Sequence, residues 1–205
     1  MKYLRYSKHM REQLIRQIEA YKPFNEQEAH DRKVILQSLR EIPDIFFRTN
    51  PIAHMSASAW VINKEHNQVL MCWHNIYKSW SWLGGHADGN EDLLNVAVKE
   101  IKEESGLQTV VPFSEDIFSL EVLTVDGHEK NGRYVSSHLH LNITYLLVAD
   151  SREVLHVKQD ENSNVAWFSM EEAVEKSSEE WFRKRIYPKL NAKLQETERA
   201  NCSYQ

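Results

Sequence analysis

Glycine is scarce in this chain, and its distribution limits what the chain can fold into. Only six of the 205 residues are glycine, and all six lie between Gly84 and Gly132. Four of them fall within the stretch 84–106. Because glycine has no Cβ, it allows backbone conformations and close approaches that other residues do not. We therefore expect special backbone geometry, and the chemistry that needs it, in this stretch.

Composition excludes several classes of protein. Apolar residues make up 41% of the chain and charged residues 27%, which is close to a globular protein and too apolar for a disordered one. No apolar run approaches the about 18 residues of a membrane helix, and the charged segment 1–15 is unlike a signal peptide. The net charge of −5 argues against binding to a nucleic-acid polymer or an acidic membrane. Cys72 and Cys202 fit no zinc or redox spacing, so we expect free thiols and a cytoplasmic location.

The pattern of apolar residues predicts three regions. Residues 1–50 have helical spacing interrupted by Pro23 and Pro43, which predicts a helical N-terminal extension. Residues 51–199 are predicted as the main domain, with helices from 169 onward, and residues 200–205 as a flexible tail. The predicted strands are 58–62, 69–73, 120–125, 138–148 and 165–168. Three pairs have the spacing of a helix capping box, namely Asn25–Glu28, Ser169–Glu172 and Ser177–Glu180.

A predicted loop and helix occupy residues 82–107. Residues 82–91 contain three glycines and no periodicity, which predicts a loop. Residues 94–101 carry apolar side chains at helical spacing, and Gly106 is a typical helix stop. The positive end of this helix would face a loop whose backbone can approach a phosphate.

Three carboxylates share one face of the predicted helix. At about 100° per residue, Glu103 lies about 60° to one side of Glu100 and Glu104 about 40° to the other. Such a cluster, taken alone, is typical of a solvated helix face. The three anions repel each other, however, and a divalent cation would offset that repulsion. Mg²⁺ and Mn²⁺ prefer oxygen ligands and often bridge to substrate phosphates, so loop and helix together predict a metal and pyrophosphate site.

The whole stretch reads Gly85, five residues, Glu91, seven residues, Lys99-Glu100-Ile101, one residue, Glu103-Glu104, one residue and Gly106-Leu107. This spacing resembles the Nudix box, the signature of the Nudix hydrolases. The family pattern is Gly, five residues, Glu, seven residues, Arg-Glu, an aliphatic residue, any residue, Glu-Glu, any residue, Gly and an aliphatic residue. The sequence departs from it at Lys99, where the family usually has Arg. It matches at Gly85, Glu91, Glu100, Ile101, Glu103, Glu104, Gly106 and Leu107.

The resemblance implies a fold and a reaction. The implied fold is α/β, a Nudix-type α/β/α sandwich with a mixed curved sheet, here with the N-terminal helical extension. The implied reaction is Mg²⁺- or Mn²⁺-dependent cleavage of a diphosphate linkage in a nucleoside diphosphate derivative or related organic pyrophosphate. The expected partner is a small-molecule diphosphate, and a homodimer is expected from the family. Sugar nucleotides, dinucleoside polyphosphates, ADP-ribose and oxidised nucleotides all remain open as substrates.

The resemblance also implies roles for individual residues. The implied metal ligands are Glu100, Glu103, Glu104 and the carbonyl of Gly84. A further acid usually comes from a loop before a late tryptophan strand, and Glu161 is the choice here. Catalysis is assigned to Glu100, Glu103 and Glu161, with Glu103 or Glu161 as the general base. Structural support of the box is assigned to Gly85, Glu91, Lys99 and Gly106.

Four further residues are candidates for substrate contact. His138 and His140 point the same way from a predicted strand and could contact phosphates or assist proton transfer. Packing on a sheet face is the alternative for both. His86 lies within the glycine stretch and Arg133 in a predicted loop, where solvent exposure is the alternative.

Two other functions are alternatives to the hydrolase. Lys99 offers a mobile point charge where Arg would hold a carboxylate with two hydrogen bonds. This departure favours a catalytically weak, Nudix-like module that senses a nucleotide, whereas the intact acids favour the enzyme. A diphosphate isomerase would need an additional acid or thiol, for which Cys72 is the candidate.

Overall fold

Helices lie at both ends of the chain, and strands fill the middle. The computed structural model describes residues 2–130, 132–157 and 162–202. The helices are α1 (Lys2–Ala20), α2 (Glu26–Glu41), α3 (Leu93–Ser105), α4 (Met170–Lys176) and α5 (Tyr187–Cys202), with a π-helical segment at Phe182–Ile186. The strands are β1 (Ala53–Asn63), β2 (Gln68–His74), β3 (Ser79–Ser81), β4 (Leu83–His86), β5 (Val110–Pro112), β6 (Ser119–Val125), β7 (His128–Lys130), β8 (Arg133–Val135), β9 (His138–Ala149) and β10 (Asn162–Ser169).

Eight of the strands form one sheet. The hydrogen-bonded order is β10-β2-β1-β9-β5, while β3 pairs with β2, β4 with β1 and β6 with β9. The antiparallel β6–β9 pair places Leu123 opposite His140, and the antiparallel β2–β10 pair places Cys72 opposite Val165. The strands β7 and β8 form a separate two-stranded sheet. The predicted α/β class, with a mixed sheet and a helical N-terminal region, is confirmed.

The chain contains two compact units whose boundaries fall inside β1, β4, α3 and β9 and between β5 and β6. The first unit comprises Met1–Ser58, Gly84–Lys99 and Ser114–Tyr145. The second comprises Ala59–Leu83, Glu100–Phe113 and Leu146–Gln205.

In the first unit, α2 packs on β6 through buried polar contacts. Glu28 is fully buried, and its carboxylate accepts hydrogen bonds from the Tyr21 hydroxyl at 2.6 Å and the Phe24 N–H at 2.8 Å. The Ser119 hydroxyl of β6 donates to the same carboxylate at 2.7 Å. Three donors compensate for the loss of water around a buried charge, so the helix is tied to the strand.

In the second unit, aromatic rings pack around α5. The rings of Trp60 and Tyr187 are stacked with centroids 5.2 Å apart, and both residues are fully buried. The N–H of Trp82 donates to the Tyr187 hydroxyl at 3.1 Å. Tyr187 therefore links the strand region 59–83 to the C-terminal helices.

The capping predictions had different outcomes. Asn25 caps α2 by accepting from the backbone N–H three residues later. Ser169 and Glu172 form a complete capping box at α4. Ser177 instead ends α4, so the capping box predicted there is wrong. None of the described helices combines the length and apolar character needed to cross a membrane.

Candidate active site

The glycine stretch begins with a strand rather than a loop. Leu83–His86 form β4, which pairs with β1, so the predicted loop is wrong at these residues. A Cβ on Gly84 would lie 2.5 Å from the carbonyl oxygen of Ala57 and 2.6 Å from Cα of Ser58. Glycine is required here because β4 runs against the backbone of β1, a contact that sequence periodicity does not reveal. Gly84 and Gly85 are half-buried, which leaves part of their backbone accessible.

A turn with left-handed backbone connects β4 to the next helix. Asp88 has a φ of 47° and Gly89 a φ of 87°. The guanidinium of Arg48 donates to Asp88 through Nε at 2.6 Å and through Nη2. These hydrogen bonds lower the pKa of the Asp88 carboxyl. The carboxylate of Glu91 accepts from the backbone N–H of Arg11 in α1 at 3.0 Å, so an N-terminal helix contacts the box.

Helix α3 carries the predicted carboxylates. Glu100 and Glu104 are half-buried, whereas Glu103 and Lys99 are exposed. The helix ends at Ser105, directly before Gly106, whose φ is 74°. The buried face of α3 is formed by Leu93, Val96, Ala97 and Ile101.

Asn162, at the start of β10, orients one of these acids. Its Nδ2 donates to Oε1 of Glu104 at 2.8 Å, and the residue is only 2% exposed. Its own Oδ1 is buried without a hydrogen-bond partner among the described residues. Sequence reasoning missed Asn162, and its only signal is that it follows Glu161 in the segment predicted to supply a further acid. Glu161 itself lies outside the described residues.

Four histidines meet in the first unit. His54 comes from β1, His86 from β4, and His138 and His140 from β9. Nε2 of His140 lies 3.3 Å from Nε2 of His86 and 3.2 Å from Nε2 of His138. The ring centroid of His54 lies 5.1, 4.8 and 4.9 Å from the centroids of His86, His138 and His140. The structure thus brings together the three predicted histidines and adds His54, which has no local sequence signal because strand pairing places it there.

Burial lowers the pKa of two histidines in this cluster. Burial, together with the charges that His86, His54 and His138 can carry, lowers the pKa of His140 to about 2. Burial also lowers the pKa of His54. His140 is therefore a neutral imidazole at neutral pH, and neutral imidazole is the form that binds metals.

The fourth candidate for substrate contact lies elsewhere. Arg133 is exposed in β8 and belongs to the separate two-stranded sheet, so its predicted placement in a loop is wrong. The strands β7 and β8 have three residues each, which is too short for a periodic pattern to be detected in the sequence.

Cys72 is packed inside the second unit. It is buried in β2, and its thiol donates to the carbonyl oxygen of Trp82 at 3.7 Å. Burial, and then the charge of Glu104, raise the pKa of this thiol well above its usual range. This environment makes Cys72 a poor candidate for the thiol that a diphosphate isomerase would require.

Comparison with known families decides the membership of the chain. The family model described as NUDIX domain matches residues 53–190, which is more than half of the chain. The chain belongs to the Nudix family. Its enzyme class is accordingly that of a Nudix-type pyrophosphohydrolase acting on acid anhydrides. Helices α1 and α2 precede the matched residues. A search of curated proteins finds no significant match to this sequence.

Several solved structures resemble this Nudix protein. An Ap4A hydrolase from C. elegans, in a binary complex, has a TM-score of 0.49 and 21% identity, covering 68% of this chain and 96% of that chain. A NUDIX-family hydrolase from Clostridium perfringens has a TM-score of 0.48 and 20% identity, covering 68% and 97%. The dihydroneopterin triphosphate pyrophosphohydrolase of E. coli has a TM-score of 0.47 and 14% identity, covering 65% and 91%.

Proposed function

We propose that this Nudix protein hydrolyses a diphosphate linkage in a nucleoside diphosphate derivative or a related organic pyrophosphate, with Mg²⁺ or Mn²⁺. The observation that carries the proposal is the set of three carboxylates on α3. Glu100 and Glu104 are half-buried next to the exposed Glu103, and Asn162 holds Glu104 by a 2.8 Å hydrogen bond. Half-buried acids oriented by a buried amide are unlike a solvated helix face.

The donor set fits a hard divalent cation. Glu100, Glu103 and Glu104 would hold it through carboxylate oxygens, which Mg²⁺ and Mn²⁺ prefer. The cation would also offset the repulsion among the three acids. The family resemblance adds the carbonyl oxygen of Gly84 to this set, as a further prediction. When bound, the metal supplies stabilisation of the negative charge that develops on the phosphoryl oxygens.

The chain's own residues supply the proton transfer. Glu103 is the exposed acid of the three, so its carboxylate can accept a proton from the water that attacks phosphorus. Asn162 limits the motion of the Glu104 carboxylate, since its Nδ2 is itself fixed in a buried position. Glu161 is the alternative base proposed from its position before β10.

A panel of substrates tests the proposal. Formation of the two phosphate-containing products would be followed by anion-exchange chromatography on sugar nucleotides, dinucleoside polyphosphates, ADP-ribose and oxidised nucleotides, with Mg²⁺, with Mn²⁺ and with chelator. We expect turnover of one class that the chelator abolishes. Glu103→Gln should lower kcat by about 10²- to 10⁴-fold, because it removes the base and a ligand. The control Glu175→Gln, an exposed acid on α4, should leave kcat unchanged.

The same panel separates the enzyme from a sensor. Lys99 is the feature that favours a nucleotide-sensing module, since it lacks the fork of the usual Arg. No turnover on any compound, while one of them raises Tm, would contradict the hydrolase and support the sensor.

Location, oligomeric state and domain organisation are also proposed. We propose a cytoplasmic location from the sequence pattern of the two cysteines, and a homodimer from the family resemblance. We also propose that residues 1–50 are an extension, residues 51–199 the Nudix domain and residues 200–205 a tail. The helix α5 continues to Cys202.

A further inference from the structure

We propose that His54, His138 and His140 form a binding site for a transition-metal ion of the Zn²⁺ type, with a ligand set distinct from the acids of α3. Their ligand nitrogens all lie within 4.8 Å of one another. Nε2 of His138 lies 3.2 Å from Nε2 of His140. Two nitrogens about 2.0–2.1 Å from a tetrahedral ion lie about 3.3 Å apart, so the spacing of this pair suits one shared ion.

The backbone fixes which nitrogen of two rings is available. Nδ1 of His54 lies 3.4 Å from the carbonyl oxygen of Asn50, and Nδ1 of His138 lies 2.8 Å from that of Ser136. A carbonyl oxygen only accepts, so Nδ1 carries the hydrogen in each ring. In the tautomer with hydrogen on Nδ1, Nε2 of each ring presents a lone pair to the cluster. A backbone carbonyl behind one ring nitrogen is how proteins orient metal-ligating histidines.

A buried nitrogen at this site has no hydrogen-bond partner among the residues that the structure describes. Nε2 of His54 makes no hydrogen bond to any described residue, although His54 is only 3% exposed. Buried polar side-chain atoms usually have a partner, and each exception calls for an explanation. A metal ion bound to this lone pair would be that partner.

The two contacts that Nε2 of His140 makes with neighbouring histidines cannot both be good hydrogen bonds. Its Nε2 faces Nε2 of His138 at 3.2 Å and Nε2 of His86 at 3.3 Å. One hydrogen on this nitrogen can serve only one of the two contacts well, and the lone pair of His138 cannot supply another. A cation shared by these nitrogens removes the conflict.

The donor chemistry selects the class of ion. Three imidazoles with no thiolate or carboxylate in the group suit Zn²⁺, Cu²⁺ or Ni²⁺ rather than Mg²⁺. Three histidines leave a fourth position open on a tetrahedral ion, and His86 is the nearest additional imidazole. His138 and His140 are half-buried while His54 is buried, so an ion would enter from the side of β9.

Metal titration tests the site. Protein without a histidine tag would be stripped by a chelator, then titrated with Zn²⁺ by calorimetry and with Co²⁺ by visible absorption. We expect one ion per chain and the Co²⁺ spectrum of a four-coordinate, nitrogen-ligated centre. His54→Gln and His138→Gln should each weaken Zn²⁺ binding by about tenfold or more. Losing even a residue that only hydrogen-bonds to a metal ligand has an effect of about this size, and these variants remove a ligand itself.

Two controls and a second test variant make the result decisive. His30→Gln, on α2 with its side chain 69% exposed, should leave Zn²⁺ affinity unchanged. Glu103→Gln should also leave it unchanged, because that acid belongs to the other ligand set. His138 is half-buried, so its variant keeps the test valid if the His54 variant fails to fold. Absence of Zn²⁺ and Co²⁺ binding, or binding weakened by Glu103→Gln and not by His138→Gln, would overturn the proposal.

Discussion

Gly84 is held so close to β1 that no side chain fits at this position. Its added Cβ would meet backbone atoms of Ala57 and Ser58 at 2.5 and 2.6 Å, and neither can move without shifting β1. We predict that Gly84→Ala lowers the free energy of unfolding by about 1–3 kcal/mol, as overpacking does. Urea unfolding followed by circular dichroism would measure the change.

Gly127 provides the matched control for this prediction. Its added Cβ would meet the hydroxyl of Tyr134 at 2.5 Å, but that side chain is 73% exposed and can swing away. Gly127→Ala should therefore change the free energy of unfolding by less than about 0.5 kcal/mol. Equal stabilities of the two variants would show that β4 does not depend on close approach to β1.

Lys99 is the one departure from the family pattern of the box. Arg at this position would present two parallel hydrogen bonds to a carboxylate, whereas Lys presents one mobile charge. If the proposed hydrolysis is correct, Lys99→Arg should raise kcat several-fold with little change in KM. Lys102→Arg, also exposed on α3, is the control and should change neither constant. A fall in kcat would mean that Lys99 has a role of its own.

Some residues of the candidate sites could be predicted from the sequence and others could not. The helical period places Glu100, Glu103 and Glu104 on one face because it depends only on neighbours along the chain. His54 and Asn162 could not be found in this way. Their positions depend on β1 and β10 pairing with strands distant in sequence, and one histidine or asparagine in a strand has no local signature.

At the scale of elements, helices and long strands were predictable and short strands were not. The predicted strand 120–125 corresponds to β6 and the predicted strand 138–148 to β9, since alternation extends over many residues. The strands β4, β7 and β8 have three or four residues each, too few to show a period. Tertiary pairing alone determines them.

One buried carboxylate contributes to the contact between α2 and β6, beside the hydrogen bonds of Gln27 and Asp31 to the β6 backbone. Glu28 accepts from Tyr21, Phe24 and Ser119, so its removal leaves three donors without this acceptor. We predict that Glu28→Ala lowers the free energy of unfolding by about 2–4 kcal/mol. Glu26→Ala, exposed on the first turn of the same helix, should cost less than about 0.5 kcal/mol. Equal urea midpoints for the two variants would contradict this account.

At the scale of the whole molecule, the division into units was beyond sequence reasoning. The predicted regions are contiguous, whereas each observed unit collects three separate segments of the chain. Four of the five boundaries fall within secondary-structure elements, namely β1, β4, α3 and β9. Contacts among distant segments set such boundaries, and those contacts follow from strand pairing.

We predict that Glu179 makes the free energy of unfolding depend on pH. Ser81 donates to its carboxylate at 2.7 Å, but burial prevails and raises the pKa of the Glu179 carboxyl. The native state therefore binds this proton more tightly than the unfolded state, in which the pKa is about 4.3. Stability is thus lost as pH rises from about 4.3 through the raised native pKa.

Glu179→Gln removes this penalty while keeping an oxygen that can accept from Ser81. The variant should be more stable than the wild-type protein at pH 7, and its advantage should shrink to nothing below about pH 4, where both states are protonated. Urea unfolding at a series of pH values measures the difference. The neighbouring Glu180→Gln should show no advantage at pH 7, because Lys184 lowers the pKa of that exposed carboxyl. An advantage of Glu179→Gln that is independent of pH would show that packing, and not the buried charge, sets the stability there.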